Sequence, residues 1–244
     1  MATEETLTVT LPPEVTERLL GVVPAAVHGG VNDALVAALV LAISPDAPLL
    51  LELEGHGREE DAVDLDLSRT FGWFTTLFPV RLDVTGLSPA SAVKAVKDQL
   101  RAVPHNGLSY GALRYLAPRP ELAVQPQVLF NYLGRFGTDT GADWETVVDG
   151  EVVVERRDPR MPLPRALEVN AVAVDAGLSA TFSWATGVLT RDQVREFARR
   201  WVELLTGIAA DPAVAATHPP TSRWSPSTRP TWTPSAPGSP ACCR

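Results

Sequence analysis

The sequence predicts an α/β fold in which helices pack on a mixed sheet, and three patterns carry that prediction. Strand patterns at residues 49–54 and 77–84 precede an amphipathic helical pattern at 89–103. A β-hairpin is predicted at 166–184, and a long helix begins after Thr190. Strands and helices that alternate along one chain are typical of a sheet covered by helices.

Two helices are predicted before the first of these strands. Proline is tolerated in a first helical turn, so Leu11–Pro13 opens a short helix that runs to about Leu20, before the glycine pair at 29–30 stops it. The second helix is predicted to begin at Asn32, a good N-cap, and to end at Ile43. Its apolar residues lie on all sides, which indicates a helix enclosed by protein.

Boundary residues define the elements of the middle of the chain. Ser88-Pro89 supplies an N-cap and an N1 proline for the helix whose apolar stripe extends to Val103. A short helix or turn is predicted at 110–116, and a strand at 127–133.

The remaining predicted elements form a hairpin and a helix. An edge strand at 145–155 and a loop at 156–164 come first. The hairpin strands at 166–174 and 178–184 flank a turn at 175–177, and the helix that follows ends at Ile208. Thr190 and Gln193 have the spacing of a capping box, which marks the start of that helix.

The composition changes near the C-terminal end of the chain. From Thr217 onward, Pro, Ser, Thr and Trp dominate and Leu, Ile, Val and Phe do not occur, so this segment has almost nothing to bury. We therefore predict a folded lobe at residues 1–210 and a disordered tail rich in Pro, Ser and Thr at 211–244.

The charge and the apolar runs argue against two classes of partner. The chain of 244 residues has 21 basic and 29 acidic residues, a net charge of −8, which gives no basic footprint for a nucleic acid. The longest apolar run, Ala34–Ile43, is half of the ~20 residues that a membrane span needs, and the first residues are acidic. The adjacent cysteines Cys242 and Cys243 build no disulfide framework, which fits a reducing cytoplasm.

The segment Glu54–Glu59 combines a carboxylate, an imidazole and a guanidinium. If the strand continues through it, Glu54, His56 and Arg58 lie on one face, and the two intervening glycines leave room for a ligand or another backbone. A strand end that runs into a polar surface turn is the alternative.

Three further clusters each have a functional and a purely structural interpretation. Arg69–Thr75 holds aromatic residues around a glycine, an arrangement also found in ordinary core packing. Pro104–Gly111 is typical of a helix C-terminus and turn. In Phe130–Gly134, strand alternation places Asn131 and Leu133 on one face and Phe130 and Tyr132 on the other, although a buried Tyr most often bonds a backbone carbonyl.

In this order and spacing, the four clusters resemble the C-terminal half of the epimerization domains of nonribosomal peptide synthetases, which belong to the condensation-domain superfamily. Family patterns of the form EGHGRE, RTxGWFT, PxxGxGYG and FNYLG match Glu54–Glu59, Arg69–Thr75, Pro104–Gly111 and Phe130–Gly134. The resemblance extends over roughly Thr6–Ala210. Two residues depart from the family pattern: Ser109 stands where the family usually has Gly, and Phe78 stands where Tyr is frequent. Either difference could alter a turn or a pocket wall without abolishing the fold.

The resemblance implies a fold, a reaction and partners. The fold is a chloramphenicol-acetyltransferase-like lobe, one of two that face each other across a channel. The reaction inverts the α-carbon of an aminoacyl or peptidyl thioester on the phosphopantetheine arm of a peptidyl carrier protein, and no cofactor or metal is bound directly. Inversion needs a base on one face, a proton donor on the other and stabilisation of the enolate.

The resemblance also implies roles for particular side chains. Glu54 matches the catalytic glutamate, and Arg58 is expected to orient it or to polarise the thioester. Burial would raise the pKa of Glu54 and a nearby Arg58 would lower it, and the sequence leaves the balance open. Asn131 and Tyr132 match positions implicated in activity, as donors to the substrate or enolate.

The same resemblance assigns His56, Trp73 and Tyr110 to the substrate channel. The opposing acid/base group of the family comes from an HHxxxD motif in the N-terminal lobe, and no two histidines adjoin in this sequence. We therefore expect the chain to be half of an amino-acid epimerase, which is inactive without an N-terminal lobe. A condensation-domain lobe that forms peptide bonds and a non-catalytic module that binds carrier proteins are the alternatives.

Overall fold

A six-stranded mixed sheet forms the centre of the described part of the chain. The computed structural model describes residues 4–59, 66–117, 119–136, 161, 163–174 and 177–211. The strands are β1 (Glu4–Leu11), β2 (Leu49–Gly55), β3 (Thr76–Leu82), β4 (Val128–Arg135), β5 (Leu167–Val174) and β6 (Gly177–Ala185). Their order in the sheet is β1-β6-β5-β4-β2-β3.

Five α-helices accompany the sheet in the described residues. They are α1 (Pro13–Glu17), α2 (Val23–Val27), α3 (Val31–Ile43), α4 (Pro89–Arg101) and α5 (Arg191–Ala210). A π-helical turn at Arg18–Val22 joins α1 to α2. The predicted α/β class, with helices on a mixed sheet, is confirmed.

The strands β2, β4 and β5 are parallel to one another, whereas the remaining pairs are antiparallel. The carboxyl ends of parallel strands meet at one edge of a sheet. Glu54 on β2 and Asn131 on β4 therefore lie at the same edge, because Leu53 pairs with Phe130 one position earlier.

The two faces of the sheet have different compositions. On one face, Phe130, Val169 and Phe182 are at most 1% exposed and belong to the hydrophobic core that the helices cover. The other face carries a polar row in which Asn131 pairs with Asn170, Asn170 with Thr181 and Thr181 with Thr8. Glu54 continues this polar row onto β2.

The helix α3 lies in the core, as the apolar residues on all of its sides predict. Ten of its residues are buried, from Asp33 to Ala42. The predicted N-cap, Asn32, is wrong: Gly30 caps the helix, and its N–H donates to Asp33 Oδ2 at 2.8 Å. The carboxylate at the third helical position supplies the capping acceptor, so the helix begins one residue before Asn32.

Two elements near the N-terminus differ from the predictions. β1 is an additional strand, on which Leu7, Val9 and Leu11 alternate with threonines and which pairs with β6 along its whole length. The first helix does not end near Leu20, because the π-helical turn extends it into α2. Such a turn accommodates Pro24, which has no N–H to donate to the preceding turn.

The strands β2, β3, β4, β5 and β6 and the helices α4 and α5 lie where they were predicted, within two residues at each end. The short segment predicted at 110–116 is a π-helical turn at Ala112–Leu116. Outside the described residues lie the predicted edge strand at 145–155, most of the loop at 156–164, two of the three turn residues of the hairpin, and the tail beyond Asp211.

No single helix among the described residues is long and apolar enough to cross a membrane. The segments Pro13–Val27 and Val31–Ile43 pass that test only as a pair, with a bend of 99° between them.

The predicted caps of α4 and α5 are confirmed, and that of α5 gives a direct test. Thr190 Oγ1 accepts from the N–H of Gln193 at 3.3 Å, and the N–H of Thr190 donates to Gln193 Oε1 at 2.9 Å. We expect Thr190→Ala to lower the free energy of unfolding by about 1 kcal/mol, measured by urea denaturation. Thr206→Ala, an exposed change within the same helix, is the matched control and should stay within about 0.5 kcal/mol of the wild type. Equal effects of the two substitutions would contradict the capping role.

Candidate active site

A cavity of about 620 Å³ lies at the carboxyl ends of β2 and β4. The start of α3, the end of α4 and Asn106 complete its wall. In open α/β sheets, ligands bind in the crevice beyond the carboxyl ends of the strands, so this cavity has the expected position of a substrate site. Four of the predicted site residues line it, namely Glu54, His56, Asn131 and Tyr132.

Glu54 is one of three carboxyl groups that line this cavity, together with Asp33 and Glu59, and it is partly buried. Burial is the main cause that raises its pKa above the ordinary value, and the negative charge of Glu168 on β5 adds to that rise. The question that the sequence left open is thereby answered, since burial outweighs any effect of Arg58. A carboxylate that is poorly stabilised by its surroundings is a stronger base, which suits proton abstraction from a weak carbon acid.

His56 lies at the rim of the cavity. Its side chain is 71% exposed, and its Nε2 lies 3.8 Å from Glu59 Oε1. Its Nδ1 accepts from the backbone N–H of Arg58 at 3.0 Å. The imidazole is therefore fixed by its own loop and remains open to solvent.

β2 ends at Gly55, so His56 and Arg58 both lie beyond the strand. This corrects the prediction that Glu54, His56 and Arg58 share one strand face. The guanidinium of Arg58 donates from Nη1 to the carbonyl oxygens of Leu67 at 2.7 Å and Thr70 at 2.9 Å, and it lies 4.5 Å from the ring centroid of Phe74. Arg58 thus holds the segment before β3 in place.

Gly57 explains why the chain leaves the strand direction here. Its φ is +66°, and a Cβ at this position would lie 1.6 Å from the carbonyl oxygen of Phe74. Only glycine allows this conformation together with so close an approach of two backbones.

Asn131 and Tyr132 reach the same cavity from opposite faces of β4, because the cavity lies at the end of the strand. Asn131 is buried, at 9% exposed, beside Glu54 on the polar face. Burial raises the pKa of the Tyr132 hydroxyl, so it stays protonated and can donate a hydrogen bond at neutral pH. The predicted alternation of this strand is confirmed.

Trp73 and Tyr110 do not line the cavity of Glu54. Trp73 is 90% exposed. Tyr110 lines a second, smaller cavity, where its hydroxyl donates to the carbonyl oxygen of Leu122 at 3.0 Å and accepts from Arg114 Nη1 at 2.6 Å. The assignment of these two side chains to the substrate channel stays a prediction.

Other polar residues line the cavity without having been singled out from the sequence. Asn106 Nδ2 donates to Glu59 Oε2 at 2.7 Å, which ties the turn after α4 to the segment after β2. Asn106 has a φ of +48°, and a Cβ on the following Gly107 would lie 2.2 Å from the ring of Phe78. A Pro-x-Asn-Gly turn signal was present in the sequence, but its partner Glu59 lies 47 residues away.

Among the described residues, no group of three His, Cys, Asp or Glu side chains is placed to hold a metal ion.

The raised pKa of Glu54 has a consequence for stability. The folded state holds this proton more tightly than the unfolded state, so ionisation of Glu54 costs stability as the pH rises through the interval between the two pKa values. We expect Glu54→Gln to match the wild type at pH below about 4, the unfolded pKa of a Glu, and to be more stable at pH 7.

Urea denaturation at a series of pH values measures that difference. Glu121→Gln, an exposed change outside the cavity lining, is the control and should show no such growth with pH. A Glu54→Gln variant that is less stable than the wild type at pH 7 would contradict the burial of the charge.

Comparison with known proteins places this chain in a family. The family model for the condensation domain matches residues 2–220, so the chain belongs to the condensation-domain family. Within it, the chain is similar to the solved epimerization domain from the third module of tyrocidine synthetase B, with a TM-score of 0.75 and 30% identity over 88% of this chain and 49% of that one.

Two other matches are a curated relative and a solved condensation domain. Chondramide synthase of Chondromyces crocatus is 37% identical over 209 residues, which are 84% of this chain and 5% of that protein. The condensation domain of the Monacolin K polyketide synthase shares the fold alone, with a TM-score of 0.61 and 17% identity over 86% of this chain and 48% of that one. The chain thus spans about half of each solved domain and a small part of the curated relative.

Proposed function

We propose that this chain supplies one half of an epimerization site, which inverts the α-carbon of an aminoacyl or peptidyl thioester. The observation that carries the proposal is the placement of Glu54, with its raised pKa, beside Asn131 and Tyr132 in one cavity at the strand ends. The 30% identity to an epimerization domain, against 17% to a condensation domain, supports the same choice.

The chemistry of inversion matches the groups of the cavity. A thioester acidifies its α-proton but leaves it a weak acid, so a base whose pKa is raised above that of an ordinary carboxyl group abstracts it more readily. Glu54 takes or returns the proton on one face of the α-carbon. The Asn131 amide and the Tyr132 hydroxyl donate to the enolate oxygen, where negative charge develops in the transition state.

Arg58 has a different role in this proposal from the one the sequence suggested. Its contacts with Leu67, Thr70 and Phe74 make it a positioning residue for the wall of the site. His56 lies at the solvent-exposed rim, where it is placed to meet the arriving substrate rather than the reacting carbon.

The partners follow from the proposed reaction. A peptidyl carrier protein brings the acyl group on its phosphopantetheine arm, and the half-open cavity, with apolar Leu53 and Phe78 beside polar Glu54 and Asn131, fits a narrow chain that carries amides and a thioester. An N-terminal lobe with an HHxxxD motif supplies the acid/base group on the opposite face. We place the assembly in the cytoplasm, where synthetases meet their aminoacyl substrates.

A condensation lobe is the second candidate function, favoured by the family model that the chain matches. Such a lobe would place an acceptor amine, rather than a second acid/base group, opposite Glu54. A carrier-binding module without catalysis is the third possibility, and its signature is binding of a loaded carrier with no reaction.

Hydrogen exchange in deuterated water tests the proposal. The chain is combined with an N-terminal lobe that bears HHxxxD, and a carrier loaded with an aminoacyl thioester is added. We expect deuterium to enter at the α-carbon, detected by mass spectrometry of the released amino acid. Carrier binding without deuterium uptake would refute an epimerization site.

A further inference from the structure

A second cavity, of about 250 Å³, adjoins the one that holds Glu54. Its lining includes Glu52, Thr75, Tyr110, Arg114, Tyr115 and Arg165. Thr75 lines both cavities. Glu52 in the second cavity and Glu54 in the first lie on the same face of β2, about 7 Å apart along the strand. An acyl chain bound at Glu54 therefore has a short path into the second cavity.

The carboxylate of the second cavity is already neutralised. Glu52 is 5% exposed, and its Oε2 accepts from Arg165 Nε at 2.7 Å and lies 2.5 Å from Arg165 Nη2. A buried carboxylate needs such a partner, so the two side chains form one neutral unit. Arg165 also donates from Nη1 to the carbonyl oxygen of Pro164 at 2.7 Å, which leaves this guanidinium engaged at all three nitrogens.

Arg114 is the remaining cation of the second cavity. Its Nη1 donates to Tyr110 Oη at 2.6 Å and to the carbonyl oxygens of Leu122 at 3.2 Å and Val124 at 2.7 Å. These acceptors are neutral, and within the described residues the bonds engage Nη1 alone. The rings of Tyr110 and Tyr115 lie 5.9 and 5.4 Å from the guanidinium carbon. These contacts hold the Arg114 side chain in place. Among the described residues, no carboxylate is bonded to it to balance its charge.

We propose that the second cavity binds a carboxylate of the substrate through Arg114. A guanidinium fork matches the two oxygens of a carboxylate, and an arginine is charged at any physiological pH. Because the charges of Glu52 and Arg165 cancel each other, the cavity lining carries a net charge of +1, which suits a single carboxylate group. The volume suits a side chain rather than a whole small molecule.

This assignment narrows the substrate class, and it rests on the proposed function. The terminal carboxyl group of an acyl chain is consumed in the thioester, so the carboxylate must come from a side chain. The site therefore selects an acyl chain that carries an acidic residue at or next to the α-carbon that is inverted.

Binding to the chain itself tests the assignment without any turnover. The probes are two pantetheine analogues in which an amide replaces the thioester, one acylated with N-acetylglutamate and the other with N-acetylglutamine. We expect the glutamyl probe to bind at least about tenfold more tightly, as measured by calorimetry, and that preference to weaken with added salt.

Variants of Arg114 identify the residue responsible. Arg114→Gln should remove the preference, and Arg114→Lys, which keeps the charge without the fork, should retain part of it. Arg119→Gln, an exposed change outside the cavity lining, should leave it unchanged. Circular dichroism shows whether each variant is folded. If Arg114→Gln does not fold, the glutamyl preference of Arg114→Lys decides the role of Arg114.

Three results would overturn the assignment. They are equal affinity of the wild type for the two probes, no binding of either probe at millimolar concentration, and a glutamyl preference that stays undiminished in folded Arg114→Gln or in Arg114→Lys. Because the readout is binding, it can succeed where α-proton exchange fails, and the carboxylate site and the epimerization reaction are judged separately.

Discussion

Glu54→Gln is expected to reduce α-proton exchange by about 10²–10⁴-fold, the usual contribution of a general acid or base. The glutamine side chain has nearly the same shape and fits the same cavity, but it cannot accept the proton. Burial and Glu168 raise the pKa of Glu54, so the wild-type exchange rate should increase with pH through a point above the ordinary titration of a glutamate.

Glu59→Gln is the matched control for this loss of exchange. Glu59 lines the same cavity and bonds Asn106, yet it points to no reacting atom in the proposed mechanism, so its replacement should cost no more than about tenfold. Exchange that persists in the Glu54 variant, or that falls equally in both variants, would remove Glu54 from the mechanism.

Trp201→Ala is expected to lower the free energy of unfolding by about 3–5 kcal/mol, the cost of deleting a large aromatic side chain from a core. Trp201 is fully buried and meets the ring of Phe182 edge-on at 5.9 Å. Its Nε1 donates to the carbonyl oxygen of Leu35 on α3 at 3.1 Å, so the alanine variant also leaves a buried carbonyl without this donor. The indole thereby joins α5 both to α3 and to the sheet.

Urea denaturation measures this effect, with Trp73→Ala as the control. Trp73 is the same residue type but is 90% exposed, and its replacement should stay within about 0.5 kcal/mol of the wild type. A loss below 1 kcal/mol in the Trp201 variant would mean that α5 does not depend on this contact.

The elements that the sequence predicted well are those with a strong periodic pattern and a cap. Ser88 and Thr190 mark the starts of α4 and α5, and the apolar stripes of those helices follow directly. β1 was missed because it lies at a sheet edge, where its alternation of Thr with apolar residues is only half-buried. The extension of the first helix into α2 was missed because Pro24 usually ends a helix and here begins a new helical segment instead.

The sequence predicted correctly the positions of those candidate site residues that lie on strands, because strand alternation determines the face on which each side chain lies. Glu54 and Asn131 lie on one face of neighbouring strands, which period-two alternation on each strand predicts once the strands are paired. Arg58 was misplaced because β2 ends at Gly55, three residues before it, and local sequence does not specify which carbonyl groups a guanidinium will reach beyond a glycine. Tyr110 was assigned to the substrate channel by resemblance, which stays a prediction; its bonds to Arg114 and Leu122 in the second cavity could not be read from local sequence.

The configuration of the carrier-bound amino acid tests the central claim most directly. The chain, combined with an N-terminal lobe, is incubated with a carrier that bears either the L- or the D-aminoacyl thioester, together with a second carrier that offers an acceptor amine. After thioester cleavage, chiral chromatography gives the ratio of the two enantiomers. We expect both starting materials to approach the same mixture, with no amide product. Retention of configuration together with amide formation would contradict it and identify a condensation lobe instead.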